Sequence, residues 1–376
     1  MKNTLNRIEE LDRLRERYAH RNKEGKSRML DELCEQHGYS RKHAIKLLTD
    51  TLPRPQDTPP PGPVPKYLPV REVLQPLWQA AEQLCGKRLA PALPLWLPHY
   101  GKHFNPLLPL QKKLLAQISP ATLDRLLAPC KAALRGLSGT RPGTRLREQI
   151  PIVGEVWDER CPGFLEVDSV AHCGGSLAGD LIWSLTYTCL ASGWTEGRAV
   201  WNKGYQGVLT QTQDVEARLP FALRGMDFDN GGEWLNWQLV RYLQERQTPV
   251  PVTRSRPYHK DDNAHVEQKN WMWPRQLLGY QRLENPQTVQ PICELYRDVW
   301  GPLHNFFLPS TKLVEKRREG SRLVRKHDEP PTAYQRLLAS GQLNGKTRRR
   351  RRDQFASLDP FALAQAVEWR LKKILN

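Results

Sequence analysis

The 376-residue chain lacks an apolar run long enough to cross a membrane. Its longest, Leu89 to Pro98, is broken by prolines and is about half of the roughly 20 residues that a spanning helix needs. No CxxC spacing occurs among its seven cysteines, and the odd number argues against a disulfide framework. His172-Cys173, with Cys161 nearby, falls short of the four ligands of a tetrahedral zinc centre. The cysteines are therefore expected to be reduced and mostly buried. The N-terminus turns acidic at Glu9-Glu10 where a signal peptide would carry its apolar core, so a cytoplasmic protein is expected. Acidic charge is also short, with 40 Asp+Glu against 57 Lys+Arg and a formal net charge of +17. Such an excess points to a polyanionic partner, while the lack of a spanning apolar run makes a membrane partner unexpected.

Residues 52–66 form a Pro-rich linker; the run PRPQDTPPPGPVP within it favours extended polyproline geometry over helix or sheet. It closes a small first domain, 1–51. There Leu5, Ile8, Leu11 and Leu14 recur at helical spacing, and a second helix is predicted from Ser27 to His37 with Met29, Leu30 and Leu33 on one side. Gly38 suits the left-handed position ending that helix and Ser40 the N-cap of the next. Residues 41–48 follow, with Arg41, Lys42 and Lys46 on one face and Ile45 and Leu48 on the other. This is the layout of a helix-turn-helix, whose second helix enters the major groove; an αα-hairpin with a solvated basic face is the plainer alternative.

Residues 67–149 read as a second helical DNA-binding region followed by a basic linker, with Ser119 and Pro120 marking a helix start; a plain helical bundle with a solvated loop is the alternative. From residue 150 to 308 the pattern changes. Three β runs (163–170, 181–190, 196–201) precede a helix, a strand at 221–228, a helix, a strand at 250–253 and two further helices. The order βββαβαβα predicts an α/β domain with a mixed sheet covered by helices. The basic C-terminal region, 309–376, is expected to be mostly helical. Residues 310–376 hold 17 Lys+Arg against 7 Asp+Glu, which suits phosphate binding. Its run Arg348 to Arg352 reads either as part of that basic surface or as a solvated segment ahead of a final helix, 360–375.

Three acidic residues fit packing poorly. Asp168 interrupts the apolar strand 164–170, where a carboxylate facing the core is costly unless paired or bound to metal. Asp229 ends a strand ahead of Asn230-Gly231, and a helical pattern afterwards argues against a simple hairpin; Asp227, two residues earlier, is a weaker candidate on the same face. Glu267 falls about one turn after Asn263, a plausible N-cap. Three carboxylates gathered at one end of a sheet repel one another unless a divalent cation neutralises them. Oxygen-only ligands suit Mg²⁺ or Mn²⁺, and a pair of such ions supports phosphodiester displacement.

The motifs LEVDSV, FDNGGEW and DDNAHVEQKN, in this order across such a region, resemble the DDE catalytic core of the retroviral integrase superfamily, in particular bacterial insertion-sequence transposases with an RNase H-like core. The 37 residues between Asp229 and Glu267 are close to the 35 of the family's spacing. The resemblance spans about residues 150–308; the zinc-binding domain of retroviral integrases has no counterpart here. It implies a multidomain fold with an RNase H-like core and a polynucleotidyl transferase that cleaves the 3′ end of a mobile element and joins the freed 3′-hydroxyl to target DNA. It implies Asp168, Asp229 and Glu267 as catalytic residues and ligands of two Mg²⁺ or Mn²⁺ ions. It further implies a nucleoid-associated protein that works as a homo-oligomer on double-stranded DNA, reading terminal inverted repeats. Arg41, Lys42 and Lys46 would contact groove or phosphates, and Arg256, Lys260, Lys269 and Asn270 would hold DNA beside Glu267, with Arg254 and His259 as further candidates. Trp271 and Trp273 suit core packing better than base stacking. An RNase H-like nuclease, or a captured transposase serving as a DNA-binding regulator without catalysis, are the alternatives.

Overall fold

In a computed structural model, the described residues are 13–49, 66–134, 161–228, 237–254, 271–319 and 322–375. The chain divides into two compact units, Met1–Pro65 and Lys66–Asn376.

The first unit contains α1 (residues 13–19), α2 (Lys23–His37) and α3 (Arg41–Thr49). The Asn22 side chain accepts from the Gly25 amide at 3.0 Å and starts α2, and Gly38 ends it at φ +67°. That left-handed turn is open to glycine without a Cβ penalty. The Ser40 hydroxyl accepts from His43 N at 3.3 Å, capping α3. Leu30, Leu33, Ala44 and Leu48 make a small core joined by Leu14 and Tyr18. The expected pairing of Ile45 with Leu48 is corrected: Ala44 is buried and Ile45 is 40% exposed. Positions 44 and 48 are four apart and share one helical stripe, whereas Ile45 lies about 100° round the helix from Ala44.

The second unit has a helical region ahead of a five-stranded mixed sheet and a largely helical C-terminus. Strands β1 (Phe164–Ala171), β2 (Ile182–Cys189), β3 (Thr195–Trp201), β4 (Gly225–Phe228) and β5 (Val252–Arg254) lie in the order β3-β2-β1-β4-β5. The first three are antiparallel, while β4 pairs parallel to β1 and β5 parallel to β4. Parallel neighbours require crossovers, and α8 (Tyr205–Arg218) and α9 (Trp237–Gln244) lie between those strands in the chain. α8 covers one face, where the Tyr187 hydroxyl meets the Thr212 hydroxyl at 2.9 Å and Arg198 Nε donates to Asp214 at 2.7 Å. Helical segments at 271–278 and 289–307 pack on the other face, with Trp273 and Tyr296 above Gly197.

The open edge of β3 is capped by side chains. Asn305 accepts from Thr195 N at 2.9 Å and donates to Thr195 O at 2.8 Å, and Cys293 Sγ accepts from Ala199 N at 3.2 Å. Such covering removes an unpaired strand edge that would invite aggregation.

The helices α4 (Arg71–Ala80), α5 (Gly86–His103), α6 (Pro109–Gln117) and α7 (Pro120–Leu134) share one hydrophobic core with the sheet and the C-terminal helices. Trp96 Nε1 donates to Phe307 O at 3.1 Å and Arg88 Nε to Pro309 O at 2.6 Å. The C-terminal region starts with a two-stranded hairpin, β6 (Leu313–Glu319) and β7 (Arg322–His327), before helices Ala333–Ala339, Gly345–Ser357 and Pro360–Leu375. The arginine run is therefore helical, started by Asn344, whose side chain accepts from Thr347 N at 2.8 Å. The cysteines also need correction: all seven are free, but only Cys189 and Cys293 are buried and Cys85 is exposed. Cysteine is small enough to sit at partly covered positions without an energetic demand for burial.

Candidate active site

β1 sits at the centre of the sheet, and alternation places Glu166, Asp168 and Val170 on one face. Asp168 is half-buried, opposite Thr186 on β2, which is opposite Gly197 on β3. Its Oδ1 accepts from Ser169 N at 2.6 Å. Glu166, 2% exposed, lies in the next row of that face with Thr188, Thr195 and, across the parallel pairing, Asp227. Asp227 Oδ1 accepts from the Thr253 hydroxyl at 2.5 Å, and the Thr188 and Thr195 hydroxyls meet at 3.3 Å. The Thr253 hydroxyl on β5 thus holds one oxygen of Asp227, while the threonine hydroxyls of β2 and β3 pair with each other.

On the other side of Asp168, in the row of Val170, Ser184 bridges His172 Nε2 and the Tyr296 hydroxyl, each at 2.8 Å. Burial, reinforced by the positive charge of Arg275, lowers His172 to about 4. Its imidazole is therefore neutral at physiological pH and acts as a buried hydrogen-bonding group. Burial lifts the Tyr296 hydroxyl well above its usual range, so it stays protonated as a link between the long helix and β2.

Of the catalytic residues expected from sequence, Asp168 is placed by the described structure. The weaker candidate Asp227 shares its face. Asp229, Glu267, Arg256, Lys260, Lys269 and Asn270, with His259, lie outside the described residues. β4 ends at Phe228, in register with Val167, and Arg254 ends β5 in register with Phe228. Glu166 was missed by sequence reasoning, although the two-residue strand period places it on the face of Asp168. Among the described residues, no three His, Cys, Asp or Glu side chains are gathered so as to hold a metal ion. Trp273 is fully buried, stacked at 6.0 Å on Tyr296, and serves the core. The side chain of Trp271 lies outside the description.

On α3, Lys42 and Lys46 are exposed. Arg41 instead turns back on α2, paired with Asp31 and donating to the Ser27 hydroxyl at 2.6 Å. It ties the two helices together as well as adding charge.

No family profile matches the chain. Among solved structures it is similar to a chain of the simian T-cell lymphotropic virus intasome in complex with PP2A regulatory subunit B56 gamma, at 15% identity and a TM-score of 0.29, covering 50% of this chain and 59% of that one. That likeness is too slight to settle the fold. The chain is 38% identical over 334 residues to the uncharacterized protein y4rM of Sinorhizobium fredii (strain NBRC 101917 / NGR234). The alignment covers 86% of this chain and 93% of that protein, so the chain belongs to the same family as y4rM.

Proposed function

We propose that this protein is a DDE transposase with an integrase-type, RNase H-like core, which cleaves the 3′ end of a mobile element and joins the resulting hydroxyl to target DNA. The observation that carries this reading is the position of Asp168. It lies on the central strand of a β3-β2-β1-β4-β5 sheet, one residue beyond the register of Phe228 at the end of parallel β4. Asp229 is the next residue of the chain after Phe228. The segment after Glu267 supports the same reading, because Trp273 packs on Gly197 and Gly197 shares a row with Asp168.

The donor set is all oxygen, which fits Mg²⁺ or Mn²⁺ and not a thiophilic metal. Asp168, Asp229 and Glu267 are the residues that would hold two such ions. When bound, they supply Lewis-acid stabilisation of the oxygens that attack and leave during phosphodiester displacement. The protein's own part is positioning. The Ser169 amide fixes one oxygen of Asp168, and the packed threonine rows hold β1 and β2 in one register. Arg256, Lys260 and Lys269 would bind backbone phosphates and Asn270 would orient the bound strand, while Lys42 and Lys46 would contact terminal-repeat DNA. No covalent link between protein and DNA is required. A homo-oligomer would bring two element ends together.

Strand transfer tests this directly. Full-length protein is incubated with Mg²⁺ or Mn²⁺, a precleaved terminal-repeat oligonucleotide and supercoiled plasmid, beside a Glu267→Gln control. Metal-dependent joined product that disappears in the control is expected. Sequence-specific binding without joining, unrescued by a longer native end or host extract, would overturn the catalytic reading and leave a DNA-binding regulator.

A further inference from the structure

The arginine-rich helix Gly345–Ser357 and the long helical segment 289–307 enclose a cavity of about 320 Å³ at the β3 edge of the sheet. Its wall carries Arg218, Arg297, Arg350 and Arg351 beside Trp194 and one carboxylate, Glu196. Glu196 belongs to the row of Val167 and Tyr187, so it projects from the face of the sheet opposite Asp168. The cavity is thus separate from the candidate active site.

The negative charge around it is already engaged. Glu196 accepts from Trp194 Nε1 at 3.0 Å and from Arg198 Nη1 at 3.3 Å, and Arg198 Nε binds Asp214 at 2.7 Å. Arg297 is bidentate on Asp298 at 2.8 and 2.9 Å, and Arg218 reaches the same carboxylate at 3.8 Å. Neither Arg350 nor Arg351 has an ion pair among the described residues. Counting Arg198, five guanidinium groups are set against Glu196, Asp214 and Asp298, with Glu196 also acting on Arg351 and Glu294 on Arg297, and the least compensated charge is that of Arg350.

Arg351 is held rigidly. It is 7% exposed, donates to Gln354 Oε1 and to the Arg218 carbonyl at 2.6 Å each, and places its guanidinium 5.2 Å from the Trp194 ring centroid. Its buried Nε has no hydrogen-bond partner. A buried cation short of acceptors is costly, and an oxyanion in the adjoining space would relieve that cost. Guanidinium forks match the several acceptor oxygens of a phosphate.

We propose that this cavity binds a phosphate group presented by a nucleic-acid backbone, with Arg351 as the fixed donor and exposed Arg350 closing on the anion. The arginine helix then anchors a second stretch of DNA away from the Asp168 face. The inference rests on DNA being the partner, as proposed above, and not on catalysis.

The test is duplex-DNA binding by the full-length protein in metal-free buffer across a salt series, comparing wild type, Arg350→Gln and Arg349→Gln. Arg349 is exposed on the same helix but is not part of the cavity wall. Arg350→Gln is expected to weaken binding about three- to tenfold at fixed salt and to reduce the salt slope by about one, with a much smaller effect from Arg349→Gln. Equal effects of the two substitutions would indicate diffuse attraction and overturn the site, as would no effect of either. In a parallel arm, inorganic pyrophosphate alone is added to each protein while thermal unfolding is followed. Stabilisation of wild type that Arg350→Gln removes, with DNA binding unaltered, would assign the cavity to free phosphates and overturn the nucleic-acid source. Loss of strand transfer with the Arg350 effect intact would sink the catalytic reading alone.

Discussion

Trp273 lies directly on Gly197: a Cβ at Gly197 would come within 2.9 Å of Trp273 Cε3 and equally close to Tyr296 Cγ. Gly197 is two strands from Asp168 in the same row, and Trp273 is carried by the segment that follows Glu267 in the chain. The missing side chain at 197 therefore sets how closely that segment approaches the Asp168 face.

Gly197→Ala should accordingly cost about 1 to 3 kcal/mol, because both neighbours are buried rings that must move as rigid bodies. Urea unfolding would show a lower midpoint. Strand transfer measured well below that midpoint should fall as well, since the displaced segment leads back to Glu267. An unchanged midpoint with full joining activity would mean that this packing does not position the site.

Asp168 and Asp227 share a face but differ in what holds them. The Thr253 hydroxyl donates to Asp227, and an asparagine there retains an oxygen to accept that bond. Asp227→Asn should keep most of the joining activity. Asp168→Asn should lose at least about a hundredfold, the scale on which removal of one preorganised electrostatic group acts. Circular dichroism of both variants should match wild type, and equal losses would contradict the separate roles.

The succession of strands and helices along the chain and the place of Asp168 within a strand are readable from the sequence, because short β runs, a carboxylate in an apolar strand and helical spacing after Asn230-Gly231 are local signals; the order of the strands in the sheet is not. The C-terminal region is less so. Arg348 to Arg352 has the composition of a solvated run, and only contacts from Arg351 to Trp194, Gln354 and the Arg218 carbonyl show that one of its arginines is an internal anchor. Trp194 and Arg218 are distant from Arg351 in sequence, so periodicity cannot reveal those contacts. The hairpin β6–β7 was hidden for a different reason: it pairs near neighbours, from Glu319 with Arg322 to Leu313 with His327, but its strands are rich in charge and lack the apolar alternation that marks a strand. Glu166 was passed over because a buried carboxylate beside a candidate catalytic one attracts no separate signal.

Arg41, Lys42 and Lys46 look interchangeable in the sequence, but the structure separates them. Arg41→Ala removes the link to Asp31 and Ser27 and should lower the stability of the first unit by roughly 0.5 to 1 kcal/mol, as expected for a partly exposed pair. Lys42→Ala and Lys46→Ala should leave the thermal midpoint unchanged while each lowers the salt slope of DNA binding by about one. Thermal melts paired with a salt titration distinguish these outcomes. A destabilised Lys42→Ala protein, or an Arg41→Ala protein altered only in DNA binding, would reverse the assignment.

Glu82 gives a pH dependence of defined sign. It follows α4 at φ +54° and accepts from Gln276 Nε2 at 3.0 Å. Burial raises its carboxyl from the ordinary 4.5 to about 7, opposed by the Gln276 hydrogen bond and aided by the charge of Glu368. Between these two values the folded protein keeps a proton that the unfolded chain has released, so stability falls as pH rises through the window. The whole penalty is present above pH 7 and absent below 4.5. Glu82→Gln, which keeps an acceptor for Gln276 but cannot ionise, should match wild type near pH 4. At pH 8 it should be more stable by roughly 1 to 3 kcal/mol, a range that allows for partial solvent screening. Urea midpoints at pH 4, 6 and 8 would show the two proteins diverging in that order, and a constant offset across the series would exclude Glu82 as the titrating group.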